Sequence, residues 1–288
     1  MQLFQDFTPQ APAAWQSFQH PLVRQLAFCV ASFNIIQQLP ETLIIKNHFD
    51  LHNNIFWTQH FNHYQTRLLQ LDQNPTQLEH FVAQLKSTRL GLRFEYLFWF
   101  WLLDRDYHAY ELLGHSVQKI EGAKTLGELD FVLRNHETGK IEHWEVALKY
   151  YLGEADLQLA NWYGLNRTDQ LQRKLQHFTN KQFQFEEALD YPIEQRFAVL
   201  KGQLYIPIHT QSTLPNWINP AQPLGLWGDK IYSNEFYRLT RHEWICPNAT
   251  ITSTPNMWWC DGLYQHVNLN IRYMYRQPSP LQQCPNRH

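Results

Sequence analysis

Two carboxylates and a lysine lie on neighbouring segments in the middle of the chain. Asp130 lies in one segment, and Glu145 and Lys149 lie in the next. Two carboxylates beside an ammonium group suit a divalent cation such as Mg²⁺ or Mn²⁺, because hard cations prefer carboxylate oxygens. A lysine next to such a cation can orient an attacking water. These residue types therefore match the hydrolysis of a phosphate ester.

The segments that carry these residues have the two-residue repeat of β-strands. Apolar residues alternate with polar ones in the first segment, and the second segment repeats the pattern after the polar turn 135–139. A polar turn that contains a glycine favours a β-hairpin. Opposed residues of an antiparallel pair come within about 5 Å. We therefore expect Asp130, Glu145 and Lys149 to meet at one end of a hairpin.

This arrangement resembles the PD-(D/E)XK nuclease superfamily, in which an Asp is followed on the next strand by a (D/E)-x-K motif. The resemblance implies a restriction-endonuclease-like mixed sheet flanked by helices, and it places a further Glu on the preceding helix, where this chain has Glu95. The sequences of segments 90–95, 126–131 and 143–153 also resemble an uncharacterised bacterial family that is assigned to the superfamily by motif. The resemblance thus implies that Glu95, Asp130 and Glu145 are metal ligands.

The lysine departs from the superfamily pattern. Its usual place, two residues after the acid, is occupied by Ala147, and Lys149 follows two residues later. Alternate strand residues share a face and lie about 6.5 to 7 Å apart, so a long lysine can still reach the same water. The leading prediction is a metal-dependent nuclease acting on DNA or RNA.

The displaced lysine leaves two other interpretations open. One is a non-catalytic nucleic-acid-binding or protein-interaction module with a nuclease-like fold. In the other, Asp130, Glu145 and Lys149 form only a structural cluster of ion pairs, which would cost desolvation energy.

A basic helix follows the motif strands. The pattern of 167–185 predicts a helix, with Arg167, Gln170 and Lys174 at steps of three and four residues along one face. The resemblance implies that this helix offers a Gln or Lys to the site, so these three residues are predicted to bind substrate. A solvated basic face is the alternative interpretation.

The overall charge limits how a nucleic acid could bind. The formal net charge is −2, so no global field attracts a polyanion, and any nucleic-acid contact must be local. No apolar run approaches the roughly 20 residues of a membrane span, and the first residues lack the pattern of a secretion signal. We therefore expect a cytoplasmic protein without membrane association.

Cysteine and histidine near the carboxyl end suggest a second kind of site. The four cysteines have no C-x-x-C spacing, which favours free thiols over a disulfide framework. The order His242, Cys246, Cys260, His266 could coordinate zinc. Because the chain contains 15 histidines, ordinary packing is the favoured interpretation.

The periodicity and composition along the chain predict three regions in an α/β protein. Helical periodicity dominates residues 1–85, with helices expected at 20–38 and 57–71, and a further helix is expected at 77–103. The nuclease-like α/β core is expected at 86–210, and an aromatic and proline-rich extension packed on it at 211–288. Tryptophans of the extension could stack on unpaired bases, but core or interface packing is the commoner role.

Overall fold

One large mixed sheet dominates the parts of the chain that the computed structural model describes, which are residues 13–122, 124–209, 212–232, 235–251 and 259–278. Its strands are β1 (Tyr110–Glu121), β2 (Lys124–Asn135), β3 (Ile141–Gly153), β4 (Trp162–Tyr163), β7 (Gln195–Pro207), β8 (Gly225–Gly228), β9 (Phe236–Arg238), β10 (Gly262–His266) and β11 (Arg272–Tyr275). Their order is β1-β2-β3-β7-β8-β11-β10-β9, with β4 paired to β3. Strands β5 (Glu187–Ala188) and β6 (Tyr191–Pro192) form a separate two-stranded sheet.

Helices cover both faces of the large sheet. Within the described residues the α-helices are α1 (Pro21–Ala31), α2 (Asn54–Gln73), α3 (Thr76–Ala83), α4 (Leu90–Leu103) and α5 (Leu171–Asn180). Residues of α1, α2 and α4 pack on one face, and α5 packs on the other. Because both faces are covered, β3 and β7 are buried along most of their length. The predicted α/β class and the helical amino-terminal region are confirmed. No helix among these residues is both long and apolar enough to cross a membrane.

The predicted β-hairpin is confirmed. Strands β2 and β3 pair antiparallel, and the pairing runs from Phe131 opposite Trp144 to Arg134 opposite Ile141. The turn between them is held by the Asn135 side chain, which accepts hydrogen bonds from two backbone N–H groups, and Gly139 supplies a positive φ of 73°. The two faces of β3 also divide as the alternation predicts, since Trp144 and Val146 join one core while Ala147 and Tyr151 join the other.

Three helices are shorter than their sequence patterns predict. The helix expected at 20–38 ends at Ala31, after which the chain crosses to β7 and the Ile35 N–H donates to the Leu200 carbonyl. The helix expected at 77–103 is two helices, α3 and α4. The helix expected at 167–185 begins only at Leu171, because Asn166 holds 166–169 in a turn. Apolar spacing alone does not tell one long helix from two elements that contribute to different cores.

The aromatic carboxy-terminal region continues the central sheet. Strand β8 pairs parallel to β7, and β11, β10 and β9 extend the sheet outward from it. Trp259, Tyr264 and Tyr273 are buried against these strands. The extension expected at 211–288 therefore joins the sheet edge to edge, while Trp258 and Cys284 lie outside the described residues. The limits at 1–85 and 86–210 stay a prediction.

Candidate active site

The hairpin opens into a fork at the two predicted acids. Pairing between β2 and β3 stops at Phe131–Trp144, so Asp130 and Glu145 face each other at the first position beyond it. From there β2 continues beside β1 and β3 continues beside β7. The backbone N–H of Val146 donates to Asp130 Oδ2 at 2.8 Å, and the Asp130 N–H lies 3.4 Å from Glu145 Oε1. The two carboxylates thus face the backbone N–H groups at the point where the backbone hydrogen bonds between β2 and β3 end.

Glu145 is enclosed by two polar side chains. Its side chain has no exposed surface. His143 Nε2 lies 2.6 Å from Glu145 Oε1, and the Gln182 amide donates to Glu145 Oε2. Burial lowers the pKa of His143 to about 3, so the imidazole is neutral and donates from Nε2 when Glu145 is ionised. His143 therefore fixes one oxygen of the carboxylate.

Asp130 and Glu145 have too little positive charge near them for both carboxyl groups to be ionised at neutral pH. Burial raises the pKa of Glu145 to about 8, against the opposing charge of Lys174. Burial, followed by the charges of Glu145 and Glu95, raises the pKa of Asp130 well above its ordinary value of 3.8. A desolvated pair of this kind holds a proton at neutral pH unless another cation neutralises it.

Glu95 reaches the same cleft from the other face of the sheet. It lies in the second turn of α4, and its Oε1 is 2.8 Å from Nε2 of His115 on β1. The ring of His115 stacks on Trp99 with centroids 4.1 Å apart. The charge of Glu95 contributes to the raised pKa of Asp130, so the three predicted acids share one electrostatic environment.

The two lysines of the cleft have different partners. Lys149 Nζ donates to both carboxylate oxygens of Asp169, at 2.8 and 3.0 Å, and the Tyr151 hydroxyl donates to the same carboxylate. Lys174 Nζ donates to Gln182 Oε1 at 2.9 Å. The predicted catalytic lysine is therefore paired with a loop aspartate, while a lysine of α5 points toward the acids.

Arg167 and Gln170 lie away from the acids. Arg167 forms an ion pair with Glu154, and its guanidinium lies 4.1 Å from the ring centroid of Tyr163. Gln170 precedes α5 and forms a backbone bridge with Tyr163. Of the three residues predicted to bind substrate, the structure brings Lys174 to the cleft and places Arg167 and Gln170 outside the set that lines it.

The cleft has a volume of about 540 Å³ and a basic rim. Its floor includes Glu95 and Asp130, and the first turn of α4 forms part of its wall. Four basic side chains stand around it, namely Arg89, Lys149, Lys174 and Arg241. Arg241 lies 4.2 Å from the ring centroid of Trp244. The site therefore combines desolvated acids with four cations, of which Arg89 and Arg241 are exposed, although the chain as a whole is slightly acidic.

A protein-family model described as a domain of unknown function (DUF1853) matches residues 24–280. The chain belongs to this family. The DUF1853 description names no reaction and does not mention the nuclease superfamily. No curated protein and no solved structure gives a significant match.

The acids of this DUF1853 chain are of the residue type that binds divalent cations. They offer hard oxygen ligands, and burial raises the pKa of Asp130 and of Glu145, so that both carboxyl groups favour the neutral form. No three His, Cys, Asp or Glu side chains of the described residues are already gathered at ligating distance. For Glu145 the reason is local, because Gln182 and His143 occupy its two oxygens. A cation would replace the Gln182 amide.

Within the described residues of the DUF1853 chain, the cysteines and histidines considered as zinc ligands do not form a metal site. Cys246 is buried and its thiol contacts the Pro247 carbonyl, whereas Cys260 is exposed. His266 Nδ1 accepts two backbone N–H groups of the turn that follows it.

Several residues of this site have weak signals in the sequence. His143 is detectable, because it lies two residues before Glu145 on the same strand face. His115, Asp169 and Gln182 come from a strand of ambiguous pattern, a loop and a turn after a helix, so nothing in their local spacing indicates the site. Arg241 lies 88 residues beyond the end of the hairpin at Gly153 and reaches the cleft only because the chain returns to it.

Proposed function

We propose that this protein is a metal-dependent phosphodiesterase acting on nucleic acid, in which Asp130, Glu145 and Glu95 hold Mg²⁺ or Mn²⁺. The observation that carries the proposal is the fork between β2 and β3. There Asp130 and Glu145 face each other where strand pairing ends, and Glu95 enters from α4.

The burial of the acids supports a cation as their occupant. A carboxylate pair that is desolvated without a counter-ion is costly, and ordinary structural acids are paired or exposed. When bound, the cation would polarise the scissile phosphate and lower the pKa of the attacking water. His143 and His115 would then hold Glu145 and Glu95 in orientation, which is the usual role of groups that contact metal ligands.

The rim of the cleft supports a polyanionic substrate. Arg89 and Arg241 flank the acids, and guanidinium groups bind phosphate oxygens through two parallel hydrogen bonds. Because the chain carries a net charge of −2, this local cluster supplies the attraction that a global field does not. We expect binding to weaken steeply with salt.

A cleavage assay tests the proposal. Single-stranded, duplex and branched DNA and RNA would be incubated with Mg²⁺ or Mn²⁺ and with EDTA. We expect metal-dependent cleavage by the wild type, its loss in Asp130→Asn, and its retention in Glu137→Gln, which changes an exposed acid at the far end of the same hairpin. Cleavage that persists in Asp130→Asn, or a wild type that cleaves none of the substrates, would contradict the proposal.

A non-catalytic nucleic-acid-binding module is the second candidate. It is favoured by one observation, namely that Ala147 occupies the usual lysine position while Lys149 is paired with Asp169. This alternative predicts salt-sensitive binding of the same substrates without turnover.

A further inference from the structure

At the position where the superfamily has its lysine, β3 carries Ala147, and a lysine of another element lines the same cleft. Ala147 is buried on the face of β3 that packs on α5, in one core with Leu171 and Leu175. Lys174 lies between these two leucines in sequence, and its side chain lines the cleft beside Asp130. Helix α5 thus brings an ammonium group to the cleft that Ala147 also lines.

Lys174 is connected to the acid pair by one intervening amide. Its Nζ donates to Gln182 Oε1, and the Nε2 of the same amide donates to Glu145 Oε2. Burial lowers the pKa of Lys174, and the charges of Glu145 and Asp130 oppose this effect more than any other group. The ammonium group therefore lies in the field of these two carboxylates.

Lys149 is held elsewhere. Both of its hydrogen bonds go to Asp169, which Tyr151 also contacts. The side chain also lies 5.9 Å from the ring centroid of Tyr151. To reach the acids, Lys149 would have to break an ion pair that the Tyr151 hydroxyl also supports.

The geometry points to Lys174 of α5, rather than Lys149 of β3, as the lysine that holds the attacking water beside Asp130 and Glu145. This inference rests on the proposed phosphodiesterase function. In the reaction, the water oxygen forms a bond to phosphorus and releases one proton to solvent. The ester P–O bond breaks, and its electron pair stays on the leaving oxygen, which takes up a proton from solvent. Lys174 donates a hydrogen bond to the water and is unchanged at the end.

The test compares Lys174→Met with Lys149→Met and with Lys181→Met as control. Methionine keeps most of the apolar length of the Lys174 side chain and removes the ammonium group, whose Nζ lies 4.0 Å from the ring centroid of Phe178. Lys181 is an exposed lysine at the end of the same helix. For each variant, cleavage of the best wild-type substrate and the Kd for Mn²⁺ alone would be measured, the latter by calorimetry.

We expect Lys174→Met to reduce cleavage about 100-fold or more, as for the loss of one positioned donor in a desolvated site. Its Kd for Mn²⁺ should be equal to or lower than that of the wild type, because a competing positive charge has been removed. Lys149→Met should reduce cleavage less than about tenfold, and Lys181→Met should cleave like the wild type.

Two results would overturn the assignment of Lys174. One is a larger loss of cleavage in Lys149→Met than in Lys174→Met. The other is a joint loss of Mn²⁺ binding and cleavage in Lys174→Met, which indicates a structural role. A wild type that neither binds Mn²⁺ nor cleaves would instead refute the proposed function, and the role of Lys174 with it.

Discussion

Asp130 and Glu145 lie opposite each other at the first unpaired position of the hairpin, and each carboxylate faces a backbone N–H of the strand that carries the other. Buried N–H groups without an acceptor cost about 1 to 3 kcal/mol each, so these acids support the fork as well as lining it. The same two side chains therefore have a structural role and a proposed chemical one. Substitutions can separate the two roles.

Asparagine and alanine at position 130 should differ in stability but not in chemistry. Asn keeps an oxygen that can accept the Val146 N–H, whereas Ala leaves this group without an acceptor. We expect the free energy of unfolding of Asp130→Ala to be about 1 to 3 kcal/mol below that of Asp130→Asn in urea denaturation. Both variants should fail to bind Mn²⁺. Equal stability of the two variants would show that Asp130 does not support the fork.

Glu145 should make the metal-free protein less stable as the pH rises. A carboxyl whose pKa is raised on folding contributes stability that is complete below its unfolded pKa and is lost as the pH rises through the folded pKa. For Glu145 these values are 4.5 and about 8. In EDTA, the free energy of unfolding should therefore fall between about pH 5 and pH 8, at up to about 1.4 kcal/mol per unit.

Two additions to that titration identify the source of the pH dependence. Glu145→Gln cannot ionise, so its stability should vary less with pH than that of the wild type. Saturating Mn²⁺ at about pH 8 should restore stability to the wild type, because a cation neutralises the ionised pair. A Glu145→Gln variant with the wild-type pH dependence would assign the effect to other groups.

His115 should control metal affinity through Glu95. His115→Phe keeps a ring to stack on Trp99 but removes the hydrogen bond to Glu95 Oε1. Loss of a group that orients a metal ligand typically weakens metal binding about 10- to 100-fold. Calorimetry should show such an increase in the Kd for Mn²⁺, whereas His136→Phe, at the exposed turn of the hairpin, should bind Mn²⁺ like the wild type. An unchanged Kd in His115→Phe would exclude Glu95 as a ligand.

Gly202 should be intolerant of any side chain. Its φ is +127°, and a Cβ there would clash with the carbonyl oxygen of Lys149 on the neighbouring strand. We expect Gly202→Ala to reduce the free energy of unfolding by about 3 kcal/mol or more, from strain and from separation of β3 and β7.

Gly91→Ala is the matched control for that substitution. Gly91 is in α4, and apart from its chain neighbours and the backbone of the helix itself no atom would lie within 4 Å of a Cβ at this position. Alanine should therefore be neutral or stabilise by about 0.5 to 1 kcal/mol. Similar effects of the two substitutions on thermal unfolding would show that the close approach of β3 and β7 is wrong.

The hairpin was predictable because its information is local. Alternation defines the two strands, the polar turn fixes their register, and the register alone places Asp130 opposite Glu145. Lys174 was predictable as a residue near the site, since it lies on the first helix after the hairpin. Its approach to the acids depends on how α5 packs on the core that contains Ala147, which spacing does not reveal.

Other parts of the site depend on tertiary structure. The partner of Lys149 is Asp169, in a loop whose conformation is set by its own turn hydrogen bonds. Gln182 contacts Glu145 from a short turn that follows α5. The edge-to-edge extension of the sheet by β8 to β11 was also missed, because short aromatic strands have too little periodicity to be distinguished from packed loops.

A Mn²⁺-soaked crystal examined by anomalous scattering tests the acid site most directly. One peak is predicted in the fork, about 2.0 to 2.2 Å from carboxylate oxygens of Asp130 and Glu145, with the Gln182 amide displaced from Glu145. The same soak of Asp130→Asn should show no peak at this place. A wild-type crystal whose only manganese lies away from the fork, with Glu145 still bound to Gln182, would contradict the metal-dependent function.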